Sequence, residues 1–166
     1  MEGESRRVLI CLDGHVVTIK EWLVSSEWDG GRAEVMIDEG KPTSFDFPGW
    51  QEHRFAMISS SALLLWSARE LYLLSLPAGA IEQLYESDED ILLVYPFDGG
   101  LLVVCETTLR TLDRLGRQVC RLELPEAVAS ASLNYPRVKV TNVEGNQIQV
   151  ELKGLSLTAI ATPVTP

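Results

Sequence analysis

The sequence predicts an all-β chain assembled from repeated antiparallel meanders, and three observations predict it. One pattern of apolar runs is written twice at a constant offset: residues 63 to 66 answer to 101 to 104, Leu71 to Leu109, Leu74 to Leu112, Ile81 to Val119 and Leu84 to Leu122. A register kept over so many positions is the mark of a duplicated supersecondary unit. The runs are short and bounded by turn dipeptides, as β-strands are. The two stretches rich in helix formers, 78 to 85 and 126 to 132, follow Pro77 and Pro125 and carry β-branched or aromatic residues at the repeat positions, which leaves room for one or two helical turns at most.

In chain order, residues 8 to 12 form an apolar run ending at Asp13-Gly14, a dipeptide suited to the positive φ angles of a two-residue hairpin turn. Residues 16 to 19, continuing toward Val24, form the returning strand. Beyond Asp29-Gly30-Gly31, Ala33, Val35 and Ile37 alternate with Glu34, Met36 and Asp38, the period of a half-exposed strand that stops at Gly40-Lys41-Pro42. The chain from Met1 to Gly40 therefore reads as a three-stranded meander, an incomplete unit. Residues 41 to 55 lack a clear period and read as an irregular segment in which Phe45, Phe47, Trp50 and Phe55 gather around Pro48-Gly49. So much aromatic surface either folds back as a plug or is offered to a partner; the plug is the favoured reading.

The first full unit places strands at 55 to 58, 63 to 66, 71 to 74 and 81 to 85, with Ser59-Ser60-Ser61 as a turn. The second places them at 91 to 95, 101 to 105, 108 to 112 and 119 to 124. A degraded third follows at 128 to 133, 138 to 141, 148 to 152 and 155 to 161, where Val138 answers to Leu101 at nearly the same offset. The chain is expected to be one domain of four units, about 1–54, 55–90, 91–127 and 128–162.

Units of this length, built as four-stranded meanders with a glycine-rich or Asp-Gly turn ahead of the second strand, resemble β-propeller blades; residues 55–85, 95–123 and, more weakly, 128–160 carry the likeness. It is a likeness of architecture, with neither the Gly-His and Trp-Asp pairs of WD40 repeats nor the paired glycines of kelch repeats. A small or irregular propeller is implied, and a β-sandwich of the same strands stays open as the alternative. Propellers serve as enzymes, scaffolds and inhibitors, so the resemblance leaves function to the surface.

Composition narrows the partners. Fourteen basic against twenty-four acidic side chains give a formal charge of -10, which repels nucleic acid and anionic lipid. Residues 61 to 100 hold seven acids against Arg69 alone, a bias that would steer a basic protein partner. Cys11, Cys105 and Cys120 lie in apolar runs without C-x-x-C spacing and read as small buried side chains of a reduced, cytoplasmic protein. The apolar run near the N-terminus is too short for a signal peptide, and no run is long enough for a membrane span.

No motif of catalysis stands out. Asp13 and His15 flank Gly14 at a hairpin tip, and His53 follows Glu52 beside the aromatic segment; a hydrolase site near His15 or His53 is the weakest of the functional readings. Two histidines without suitably spaced cysteines or carboxylates give no metal site, and no phosphate loop or nucleophile elbow is present, so no cofactor is expected. Arg110, Arg114, Arg117 and Arg121 straddle two strands and a turn and read as solvated faces. What remains is a non-catalytic protein-binding module whose acidic surface, Glu82, Glu86, Asp88, Glu89 and Asp90, meets a basic partner with Phe47 and Trp50 as an apolar anchor. An inhibitor or immunity-type protein is its concrete form, and a scaffold subunit of a larger assembly is the alternative.

Overall fold

In the computed structural model, described over residues 6–12, 14–24, 30–48, 54–76 and 78–160, sixteen strands form four sheets and no helix appears among the described residues. Each sheet is a four-stranded antiparallel meander with its strands in sequence order. By contacts the chain divides into two compact units, Met1–Asp88 and Glu89–Pro166, each holding two sheets.

The first unit begins with β1 (Arg6–Leu12), β2 (His15–Val24), β3 (Gly30–Ile37) and β4 (Thr43–Pro48). Leu12 pairs with His15 across the two-residue turn; Gly14 of that turn has φ +76°, and Asp13 lies outside the described residues. The fourth strand corrects the sequence reading of an irregular segment from 41 to 55. Val35 pairs with Thr43, Ala33 with Phe45 and Gly31 with Phe47, so the first sheet is a complete meander. The aromatic residues alternate with Ser44 and Asp46 along a strand, and Phe45 packs on Tyr72 with ring centroids 4.9 Å apart. Trp50 and His53 lie outside the described residues.

The second sheet follows as β5 (Arg54–Ser59), β6 (Ala62–Ser67), β7 (Glu70–Ser75) and β8 (Ala80–Glu86). The serine turn is as expected, with the Ser61 N–H donating to Ser59 Oγ at 3.2 Å. Period-two alternation sends Val17, Ile19 and Val35 of the first sheet toward Leu63, Leu65, Tyr72 and Leu74 of the second, and these residues form the unit's core. Leu63, Leu65 and Leu74 have no exposed surface; burying each contributes roughly 1.5–3 kcal/mol.

The second unit repeats the plan with β9 (Ile91–Phe97), β10 (Gly100–Cys105), β11 (Thr108–Asp113) and β12 (Gln118–Glu123), then β13 (Val128–Asn134), β14 (Arg137–Asn142), β15 (Gln147–Lys153) and β16 (Ser156–Ile160). The last sheet is as complete as the others, so the third copy is degraded only in sequence. Leu102, Val104 and Leu109 pack against Val138, Val140, Val150 and Leu152. Two side-chain to main-chain bonds join the sheets: Tyr95 Oη donates to the Ala131 carbonyl at 2.6 Å and Thr111 Oγ1 to the Leu155 carbonyl at 2.5 Å.

Two further expectations are corrected. Cys11 is exposed while Cys105 is buried and Cys120 lies between, because Cys11 sits on the sheet face opposite the core. Arg110, read as a solvated charge, is a residue of the central strand β11, on the face opposite Leu109, with 2% of its side chain exposed.

Candidate binding surface

The acidic run divides by the direction in which its side chains point. Glu82 and Glu86 stand exposed on β8, the outermost strand of its sheet, and Asp88 is exposed just beyond it. A strand with one hydrogen-bonded edge carries charge there without desolvating it, and edge charge also discourages unwanted strand pairing. Glu86 is the cross-strand partner of Glu70 on β7, so two carboxylates face each other on one side of the sheet. Tyr72 donates its hydroxyl proton to Glu70. Burial, that hydrogen bond and the charges of Glu70 and Glu86 all hold the Tyr72 hydroxyl protonated far above its usual range.

In the second unit Glu89 turns inward and Asp90 is half-buried. Glu89 Oε2 accepts the Thr107 N–H at 2.8 Å and the Thr107 hydroxyl at 2.9 Å, while Oε1 accepts the Thr108 hydroxyl at 2.8 Å and Arg110 Nη2 at 2.7 Å. Arg110 Nε in turn donates to Thr108 Oγ1 at 2.9 Å, and Arg121 Nη2 approaches at 3.5 Å. Burial opposes the charge of Glu89, yet the hydrogen bonds from Thr107, Thr108 and Arg110 outweigh it and hold the carboxyl below its ordinary range. This carboxylate closes the β10–β11 turn and neutralises a buried arginine. Of the residues assigned to partner contact from sequence, Glu82, Glu86 and Asp88 are exposed, and Glu89 carries internal bonds. The backbone of Phe47 belongs to β4, and Trp50 lies outside the described residues.

The histidine reading gains a partner that sequence reasoning missed. Asp38, at the end of β3 with φ +49°, accepts a hydrogen bond from His15 Nδ1 through Oδ2 and from the Val16 N–H through Oδ1 at 2.8 Å. The His15 bond, followed by that of Val16, lowers the Asp38 pKa. A carboxylate on Nδ1 fixes the imidazole orientation, as in acid–base sites, and a hollow of about 410 Å³ lies beside it, lined by His15, Asp38, Lys41, Thr43 and Gly79 among others. Among the described residues its lining holds the Lys41 amine and the Thr43 hydroxyl and no serine or cysteine. Asp38 also ties the β1–β2 hairpin to β3, its N–H donating to the Val16 carbonyl at 2.9 Å. Among the described residues no three His, Cys, Asp or Glu side chains are grouped as a metal site.

The sequence matches no family model and no curated protein. Its fold is similar to that of solved structures. The AfRom2 CNH domain superposes with a TM-score of 0.60 at 13% identity over 96% of this chain and 55% of that one. Prolyl oligopeptidase B from Galerina marginata, bound to a 35mer hydrolysis and macrocyclization substrate, gives 0.52 at 8% identity over 95% of this chain and 26% of the other. HIRA(644-1017) gives 0.49 at 12% identity over 96% and 54%. The chain thus spans about half the length of the first of these. The first two of these are propeller-type folds, and the four four-stranded sheets are blade repeats of that kind.

Proposed function

We propose that this chain is a protein-binding module that acts by presenting the acidic outer strand β8 to a basic partner. The observation that carries the reading is the cross-strand pair Glu70 and Glu86. Like charges directly opposite each other destabilise a sheet, and a bound cationic side chain relieves the repulsion. Glu82 adds an exposed carboxylate on the other face of the same edge strand, and Asp88 is exposed just beyond it. The finer form of the proposal is an inhibitor or immunity-type role, in which this surface masks a basic face of its partner; the formal charge of -10 supports it. Three cysteines with no disulfide among them support a reducing compartment such as the cytoplasm.

The test is affinity capture from the source cells with the wild-type chain and with a Glu82→Lys, Glu86→Lys, Asp88→Lys variant, at low and high salt. The expected result is a basic protein retained by the wild type at low salt, released as the Debye length falls toward about 3 Å at 1 M, and absent from the variant. Identical capture by both chains would overturn the reading.

A further inference from the structure

The first sheet has a second face, and it is built differently from the one that packs into the core. Residues of one parity, Val8, Ile10, Val17, Ile19, Val35, Ile37 and Phe45, belong to or pack against the core cluster. Residues of the other parity form cross-strand rows: Trp22, Arg32 and Asp46; Arg7, Lys20, Glu34 and Ser44; Leu9, Thr18 and Met36; and Cys11 opposite Val16, followed by Asp38 at the end of β3. The middle of this face is apolar and open. Leu9 is 62% and Val16 42% exposed, Cys11 is exposed, and a groove of about 730 Å³ runs over Arg7, Leu9, Val16, Thr18, Met36 and Glu39.

Arg7 and Lys20 stand opposite each other on β1 and β2, a like-charge pair; Glu34 lies beside Lys20 on β3, Arg32 of β3 is paired with Asp46 of β4 at 2.8 Å, and Asp38 and Glu39 follow the strand. We infer that this face is the interface of a homodimer, formed by a second copy of the chain applying the same face. A two-fold axis running between the two faces, parallel to the strands and over the seam of β2 and β3, keeps each row at its own level and sets Lys20 of each copy over Glu34 of the other. The open apolar row is then enclosed between them. Self-complementarity of this kind is what an isologous contact requires, and two sheets so stacked pack as in other face-to-face sheets. Four strands at about 4.8 Å spacing and about eight residues long give a footprint of roughly 500 Å² per copy, which puts the contact among weak, reversible interfaces. The proposal does not rest on the acidic strand β8, which belongs to another sheet.

Sedimentation velocity from about 5 μM to about 1 mM covers the range of such a weak contact. It is to be run on the wild type, on a Lys20→Glu variant, on a Glu34→Lys variant, and on an equimolar mixture of the two. The expected result is a concentration-dependent dimer for the wild type, at least about tenfold weaker association for each variant alone, and recovery in the mixture, where the two altered faces complement each other. Leu9→Gln is expected to abolish dimerisation with an unchanged circular dichroism spectrum, since Leu9 lies on the face opposite the core. A wild type that stays monomeric throughout overturns the proposal. So does association that survives in each charge variant, or a mixture that fails to recover.

Discussion

Arg110 Nη2 and Glu89 Oε1 stand 2.7 Å apart, with 2% of the arginine side chain and 14% of the glutamate side chain exposed. A buried pair of this kind adds little net stability over apolar replacements, but breaking it from one side is expensive. Glu89→Ala strips Arg110 of this carboxylate and leaves the Thr107 N–H without its acceptor. We expect it to cost about 3 kcal/mol in urea unfolding. Arg110→Met should cost less, because Glu89 keeps Thr107 and Thr108. Equal losses for the two variants would contradict this asymmetry.

Acid sensitivity follows from three carboxylates whose pKa values are lowered by folding, Asp38, Glu89 and Asp113. A lowered folded-state pKa contributes stability above the unfolded-state value, and that contribution is lost as pH falls through the folded value. Unfolding followed between neutral pH and about pH 2 should therefore show stability declining once the pH drops below the ordinary carboxylate range of about 4. Asp113 supplies an internal control. Its Oδ1 accepts the Leu115 and Arg117 N–H groups at 2.9 and 3.0 Å, and Asn142 accepts those of Glu144 and Asn146 in the same pattern at 3.1 and 2.7 Å. Asp113→Asn should keep the turn and flatten the acid limb; an unchanged limb would remove Asp113 from the account.

The strands are legible because period-two alternation and turn residues are local signals, and the duplication repeats them. β4 is hidden because Gly40-Lys41-Pro42 before it and Pro48-Gly49 at its end frame Thr43 to Phe47 as a loop, although Phe45 and Phe47 alternate with Ser44 and Asp46. Arg110 is misread when charge is weighed ahead of register. Carried back by the offset of the repeat, Arg110 falls on Tyr72 and Thr108 on Glu70. In both copies the buried central-strand residue bonds the side chain two positions earlier, Tyr72 to Glu70 and Arg110 to Thr108. The repeat thus marks an interior polar position in each sheet. Asp38 as the partner of His15 is distant in sequence and depends on the β2–β3 pairing, which no local pattern reveals.

Two glycines separate close approach from backbone conformation. A Cβ on Gly100 would stand 2.0 Å from the Leu112 carbonyl oxygen, a main-chain atom of the neighbouring strand. Gly145 has φ +88° with open space around it. Gly100→Ala must push β10 from β11 and should cost about 1–3 kcal/mol or more, as overpacking a core does. Gly145→Ala carries only the penalty of a positive φ, about 1 kcal/mol. Thermal unfolding of the two variants ranks them, and the reverse order would contradict the contact.

The facing carboxylates of Glu70 and Glu86 put stability and binding in opposition. Removing one charge relieves the repulsion between cross-strand partners, so Glu86→Gln should stabilise the chain by about 0.2–1 kcal/mol. The gain should shrink as salt is raised, since screening weakens the repulsion in the wild type and leaves less to relieve. The same substitution removes an outward charge from β8, and association with a basic partner should slow, with most of the loss in the on-rate, as for other charges at the edge of an interface. Chemical denaturation at two salt concentrations and stopped-flow association measure the two effects on one variant. A chain that gains stability and binds its partner at the wild-type rate would detach the acidic strand from function while leaving the sheet energetics intact. One that loses stability would show that the repulsion between the two carboxylates is already neutralised within the fold.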